Sequence, residues 1–267
     1  MIVIWFRADL RTTDNPALTR AYELSNQLKC PIVAIYISSS SQWELHGMGH
    51  ARVDFEYRSV AALSTSLSAL NIPLKLIDIP LYADVPTGLL AWCANHGVTH
   101  LLANRQYEWN EVERDRSCHR LLRGNAIVIE WFHDQCLVAP DLLRTQDGGF
   151  YTVFTPYKKK LIKHLLDQPI GVFSVLSPAK NDSNFVSDPM PKQFGAYAPT
   201  PHLHDEWPAG EEAASGRLLE FCNDDVVSYR EQRDFPSKKA TSQLAAYLAV
   251  GAVSVRQCWL ASERAEE

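Results

Sequence analysis

Residues 2–18 read IVIWFRADLRTTDNPAL. Positions 2–5 are apolar in succession, which suits a strand buried on both faces, as in a parallel sheet. Charges of alternating sign follow at Arg7, Asp9, Arg11 and Asp14. Such a run just past a buried strand can pin a turn through arginine–carboxylate pairs. Asp14 then precedes Asn15-Pro16, which predicts an N-cap with proline in the first helical turn. The unit of strand, polar turn and helix recurs. Apolar runs at 31–37, 74–79, 98–103 and 126–131 alternate with helix-length segments at 15–29, 51–70, 85–95 and 110–123. The expected fold is therefore α/β, a doubly wound parallel five-stranded sheet over residues 1–132, with Trp5, Ile35 and Leu101 buried.

Composition changes beyond that point. Seven of the fifteen prolines fall between Pro169 and Pro208, among Asn, Ser and His. Residues 133–210 are read as a connecting helix, N-capped by Thr155 before Pro156, and a proline-rich linker over the surface. Residues 211–267 read as helical, at 211–222, 226–233, 242–250 and 255–266, with no further strand signal.

The 267 residues are 46% hydrophobic and 21% charged, with a formal charge of −5. That balance gives no overall attraction to nucleic acid, though one face can still be basic. No run of about 18 apolar residues occurs, so no membrane span is expected, and no signal peptide is read at the start. The six cysteines lie far apart without a CxxC, which favours reduced structural thiols and a cytoplasmic location. GxGxxG, GxxxxGK[ST] and GxSxG are all absent, removing the dinucleotide, Walker and hydrolase fingerprints. His46 and His50 stand four apart but have no third ligand nearby, and no metal site is expected. His202 and His204 are expected in solvent, as is the Lys158–Lys160 run. In a doubly wound sheet, ligands sit outside the carboxyl ends of the strands, which directs attention to the loops after residues 5, 37 and 103.

Four stretches carry a resemblance: WFRADLRTTDNPAL (5–18), RQYEWNEVERD (105–115), VFTPYKKK (153–160) and YREQRDFPSKKATSQLAAYLAVGAVSVRQC (229–258). Together, in this order and spacing, they resemble the photolyase/cryptochrome family. Within it the chain looks closest to class I bacterial photolyases that repair cyclobutane pyrimidine dimers. The resemblance implies FAD contacts at Tyr229, Thr241, Ser242, Gln243, Leu244 and Ala245. Hydroxyls and free N–H groups at a helix start suit phosphate. The same stretch, read without the family, is an N-capped helix packing Leu244, Tyr247 and Leu248 inward. A basic residue is usual in the family at position 243 and serine at 245, and here they are Gln243 and Ala245.

The resemblance also implies a methenyltetrahydrofolate antenna at Asn110 and Glu111, in the loop after the fourth strand, with His46 near. On the residues alone, Asn110 would cap a helix and Glu111 would favour its first turn. The implied domains are 1–132 for the antenna, 133–210 as connector and 211–267 as the start of an all-α FAD-binding domain. The implied activity is light-driven electron transfer from reduced FAD to pyrimidine dimers in DNA, by a monomer. As a C-terminally truncated chain it is expected to be inactive alone, and no catalytic residue is assigned. The apolar faces of 211–267, including Phe221, Leu244, Tyr247, Leu248 and Trp259, are expected partly exposed. A cryptochrome-like photosensor and a stand-alone pterin- or nucleotide-binding module are the alternatives.

Overall fold

The computed structural model describes residues 1–174, 176–180 and 184–265. Five strands, β1 (Ile2–Phe6), β2 (Ile32–Ser38), β3 (Leu74–Asp78), β4 (His100–Asn104) and β5 (Val128–Phe132), form one parallel sheet in the order β3-β2-β1-β4-β5. Between them run α1 (Pro16–Leu28), α2 (Ser40–Leu45), α3 (His50–Ala69), α4 (Val85–Asn95) and α5 (Trp109–Gly124). After the sheet come α6 (Phe154–Asp167), α7 (Glu211–Glu220), a π-helical turn (Phe221–Asp225), α8 (Val226–Gln232), α9 (Ala245–Val250) and α10 (Val255–Ala265). Every residue of β1 and β2 is buried, as consecutive apolar positions require when helices cover both faces. Trp5, Ile35 and Leu101 are among them or beside them, each at most 1% exposed.

Several expected boundaries move. Asn15, rather than Asp14, caps α1, its side chain accepting from the Leu18 amide. Asp14 sits at φ 48, freeing its carboxylate for distant partners. The helix expected from Thr155 begins at Phe154, with Val153 at the cap. Asn110 and Glu111 lie within the first turn of α5, not in a loop, and Glu108 rather than Asn110 occupies the cap. Residue 266 of the last expected helix lies outside the described residues.

The proline-rich stretch is tied to the sheet. The Asp188 amide donates to Leu74 O (2.9 Å) and its carboxylate accepts from the Leu76 amide (2.9 Å), satisfying backbone groups of edge strand β3. Phe194 and Tyr197 are buried against Tyr36 and Trp43. His204, expected in solvent, instead bonds the buried Asp54 carboxylate at 2.9 Å.

The C-terminal helices differ most from expectation. Leu244 and Tyr247 are only 6% and 3% exposed, and with Val250, Ala252 and Val253 they join the cluster formed by Ile2, Ile4, Phe6 and the inner face of α3. Phe221, Trp259 and Leu248 do remain partly or largely exposed. Local polar anchors accompany this burial. Leu10 N donates to Val250 O at 3.0 Å, and Arg11 Nη1 to Gly251 O at 3.1 Å. Arg256 holds Asp14 through Nε (2.9 Å) and Asp134 through Nη2 (2.7 Å), while Arg11 Nη2 reaches Asp134 at 2.5 Å. All four side chains are buried, so each charge depends on the others. All six cysteines are free, and no helix of the described residues is long and apolar enough to cross a membrane.

Candidate functional site

Strand order reverses between β1 and β4, and the crevice outside their carboxyl ends is where this architecture holds ligands. The residues there form a buried polar lattice. Asp9 accepts from the Arg7 amide and from Asn104 Nδ2, both at 2.6 Å. Burial raises the Asp9 carboxyl above its ordinary range, and the Arg7 amide opposes that rise. Arg7 Nη1 reaches Asp115 Oδ2 at 2.6 Å, and Arg114 Nη2 reaches the other oxygen at 2.9 Å. One carboxylate thus holds two guanidiniums, and both lie over the Trp5 ring, at 4.7 and 4.9 Å from its centroid. Arg114 also covers Tyr82 at 4.7 Å. Cation–π contact of this kind strengthens where water is excluded.

This lattice floors a cleft of about 230 Å³, walled by Tyr36, Trp43, Glu56, Tyr82 and Glu111 and by Ala249 and Val250 of α9. Tyr82 donates its hydroxyl to Glu111 (3.1 Å), and Tyr36 donates to Glu56 (2.6 Å). Burial pushes the Tyr82 phenol up to about 12. In the floor, Trp5 Nε1 and Arg7 Nε are buried with no hydrogen-bond partner among the described residues. Aromatic walls and a few convergent polar groups are the usual make-up of a small-molecule site.

Burial also raises the Glu56 carboxyl above its ordinary 4.5, against the lowering effects of the Tyr36 hydrogen bond and Arg52. A carboxyl raised on folding contributes stability at acid pH, which is lost as pH rises from about 4.5 through the folded value. Glu56→Gln is therefore expected to gain stability relative to the parent as pH rises from 4.5 towards 7. Urea midpoints across that range measure it; a constant difference would show that Glu56 ionises normally.

Of the residues expected at the antenna, Glu111 faces the cleft, and His46 connects to it indirectly. Gln42 donates through Nε2 to His46 (2.7 Å) and accepts from the Tyr82 amide (3.1 Å), and Tyr82 meets Glu111. Asn110 is exposed and is not part of the wall. Sequence reasoning missed Tyr36, Glu56, Tyr82 and Arg114. The loops after residues 5, 37 and 103 are legible in the sequence as ligand-facing, but nothing in one dimension aligns α3 and the loop before α4 above them.

The residues expected at the flavin do not line this cleft; they lie on α8 and at the start of α9. The helix starts at Ala245, not at residue 242, and no side chain caps it. Thr241 and Ala245 are exposed, Ser242 is half-buried and Leu244 faces the core. Gln243 takes φ 52, and its side chain accepts from Arg217 Nη2. Arg217 Nε also donates to Ser242 O at 3.2 Å. A guanidinium from α7 thus stands beside the position where the sequence lacks a basic residue. Tyr229, 36% exposed, packs edge-on to Phe221 with ring centroids 5.8 Å apart.

The family model for DNA photolyase matches residues 2–174. The chain belongs to the DNA photolyase family. The deoxyribodipyrimidine photo-lyase of Vibrio cholerae is 32% identical over 265 residues, a match covering 97% of this chain and 54% of that protein. For the Escherichia coli deoxyribodipyrimidine photo-lyase the identity is 33%, with 96% and 52% covered. Among solved structures, a bacterial class III photolyase from Agrobacterium tumefaciens superposes with a TM-score of 0.83 at 29% identity, covering 97% of this chain and 52% of that one. A Synechocystis cryptochrome, at TM-score 0.75 and 21% identity, shares the fold. The chain spans about half the length of the curated relatives it matches.

Proposed function

We propose that this chain forms the antenna-binding and FAD-cradling part of a deoxyribodipyrimidine photo-lyase, whose substrate is DNA containing cyclobutane pyrimidine dimers. The observation that carries the reading is the seating of 241–256. Leu244 and Tyr247 are buried in the same cluster as the sheet, while Thr241 and Ala245 stay open beside Arg217. In this reading the hydroxyls of Thr241 and Ser242 and the backbone at Gln243–Ala245 hold the FAD phosphates, and Tyr229 forms part of the wall. Arg217 supplies the positive charge that Gln243 does not. Reduced FAD, when bound, supplies the light-driven electron; the chain's residues position it and keep one side dry.

The antenna in this reading is a methenyltetrahydrofolate head group in the cleft, with Glu111 accepting from pterin N–H groups and His46 and Asn110 at its periphery. About 230 Å³ is less than usual ligand pockets of about 300–1,000 Å³, so the cleft suits a head group and leaves the tail outside. A cleft lined by the sheet, α3, α4 and α9 of this chain also favours a second reading, a pterin-binding module without flavin chemistry. Absorption spectra of the purified protein distinguish flavin from folate.

The test uses the 267 residues alone and joined to the remaining part of the Vibrio cholerae relative, illuminated with dimer-containing oligonucleotide and reduced FAD. Repair is expected from the joined protein only. The chain alone offers one exposed wall; surface contacts to phosphate give about 0.3–1 kcal/mol each, so a handful together reach about millimolar retention at best. In the joined protein, Arg217→Ala is expected to weaken FAD retention about tenfold, the scale of a charged hydrogen bond. Repair in the dark, or a joined protein that binds FAD and never repairs, would overturn the photolyase reading.

A further inference from the structure

A second groove, of about 580 Å³, runs along α5 and the edge strand β5, adjoining the cleft at Gln106. Its charges are unequally matched. Arg116 pairs with Glu113 one turn away, and Asp115 is already held by Arg7 and Arg114. Arg105 and Arg120 have no carboxylate partner among the described residues; the Arg120 guanidinium makes one long contact, 3.4 Å to Ser117 Oγ. The same groove is lined by Trp131 and His119. The indole N–H of Trp131 donates to His119 Nδ1 at 3.2 Å, so the neutral imidazole carries its proton on Nε2 and is a donor there. Arg7 lies over the Trp131 ring at 5.1 Å and steadies it.

An exposed arginine on a helix is ordinarily just solvated. Here two unmatched guanidiniums, a donor imidazole and a half-buried indole share one concave surface, in a chain whose net charge is −5. Such a surface recognises an acceptor-rich anion attached to a planar ring. Arginine suits phosphate geometry, and indole suits a base face. We propose that this groove binds a nucleoside phosphate, its phosphate between Arg105 and Arg120 and its base against Trp131. The nucleotide is either free or part of a single strand. The proposal does not depend on the photolyase reading.

Calorimetry at low salt with AMP, ribose 5-phosphate and a thymidine oligomer tests it on the full chain. AMP is expected to bind saturably, and Arg105→Ala or Arg120→Ala to weaken it about tenfold. Both side chains are exposed or near the surface, so thermal unfolding should be unchanged and serves as the folding control. Trp131→Phe is expected to weaken AMP while leaving ribose 5-phosphate unaffected. Tighter binding of the oligomer than of AMP identifies the single strand as the source, and equal or weaker binding identifies the free nucleotide. Absence of saturation by either ligand in the millimolar range overturns the proposal, as does undiminished binding by the Arg105→Ala/Arg120→Ala double variant.

Discussion

Gly251→Ala is expected to release the C-terminal helices from the sheet and to cost about 3 kcal/mol or more. Gly251 ends α9 at φ 68, where an L side chain costs about 1 kcal/mol or somewhat more. Sterics add to this. A Cβ there would overlap the Ala8 carbonyl oxygen and lie 2.5 Å from Asp9 Cα, both backbone atoms of the β1–α1 loop. Backbone cannot rotate away as a side chain can, and overpacking of this kind costs about 1–3 kcal/mol. Gly47 offers an internal control, since it has φ 66 but open space around its Cβ position. Gly47→Ala therefore measures the conformational cost alone. Urea denaturation should rank Gly251→Ala well below Gly47→Ala. Hydrogen exchange should accelerate over 244–258 while β1, β2 and β4 stay protected. Equal losses for the two variants would show that the close approach at Ala8 is relieved without strain.

Arg256→Leu is expected to be as damaging, for an electrostatic reason. The Arg256 guanidinium serves Asp14 and Asp134, which are 1% and 2% exposed. Without it, Arg11 reaches Asp134 and only the Asp14 carbonyl, so the Asp14 carboxylate keeps the Ser254 hydroxyl and the Phe173 amide but, among the described residues, no cation at bonding distance. Removing one partner of a buried pair typically costs about 3–5 kcal/mol. Because the penalty comes from an uncompensated carboxylate, Asp14→Asn in the same chain should recover part of it. Double-mutant analysis of urea midpoints checks this. Additive losses would mean that Arg256 acts through its alkyl packing instead.

The two variants mark where sequence reasoning stopped. The sheet was legible because its signal is local: consecutive apolar residues at 2–5 and 31–37 can only be buried on both faces, and helical segments between them dictate parallel crossovers. The charged run at Arg7, Asp9, Arg11 and Asp14 was legible as a pinned turn. Its partners were not. Arg7 pairs with Asp115, Arg11 with Asp134 and Asp14 with Arg256, at separations of 108 to 242 residues. A charge pattern shows that a partner is required without showing which one.

The candidate sites divide in the same way. The resemblance of 105–115 and 229–258 to one family directed attention to Glu111 and to 241–245, where the residues by themselves read only as helix starts. Tyr36, Glu56 and Tyr82 come from β2, α3 and the loop before α4, and they meet only because the strand order places those elements around one crevice. Arg217 likewise reaches Gln243 from a different helix. The expected exposure of Leu244 and Tyr247 failed because amphipathicity shows that a helix has an apolar face, not what covers it. For α9 the cover is α3 and the β1–α1 loop, through the Phe55–Tyr247 contact and the close approach at Gly251. Local chemistry alone thus determined the elements, their order and the need for buried ion partners. Which residues share a cavity, and what the last helices rest against, was decided by long-range packing, where contact depends on the path of the whole chain.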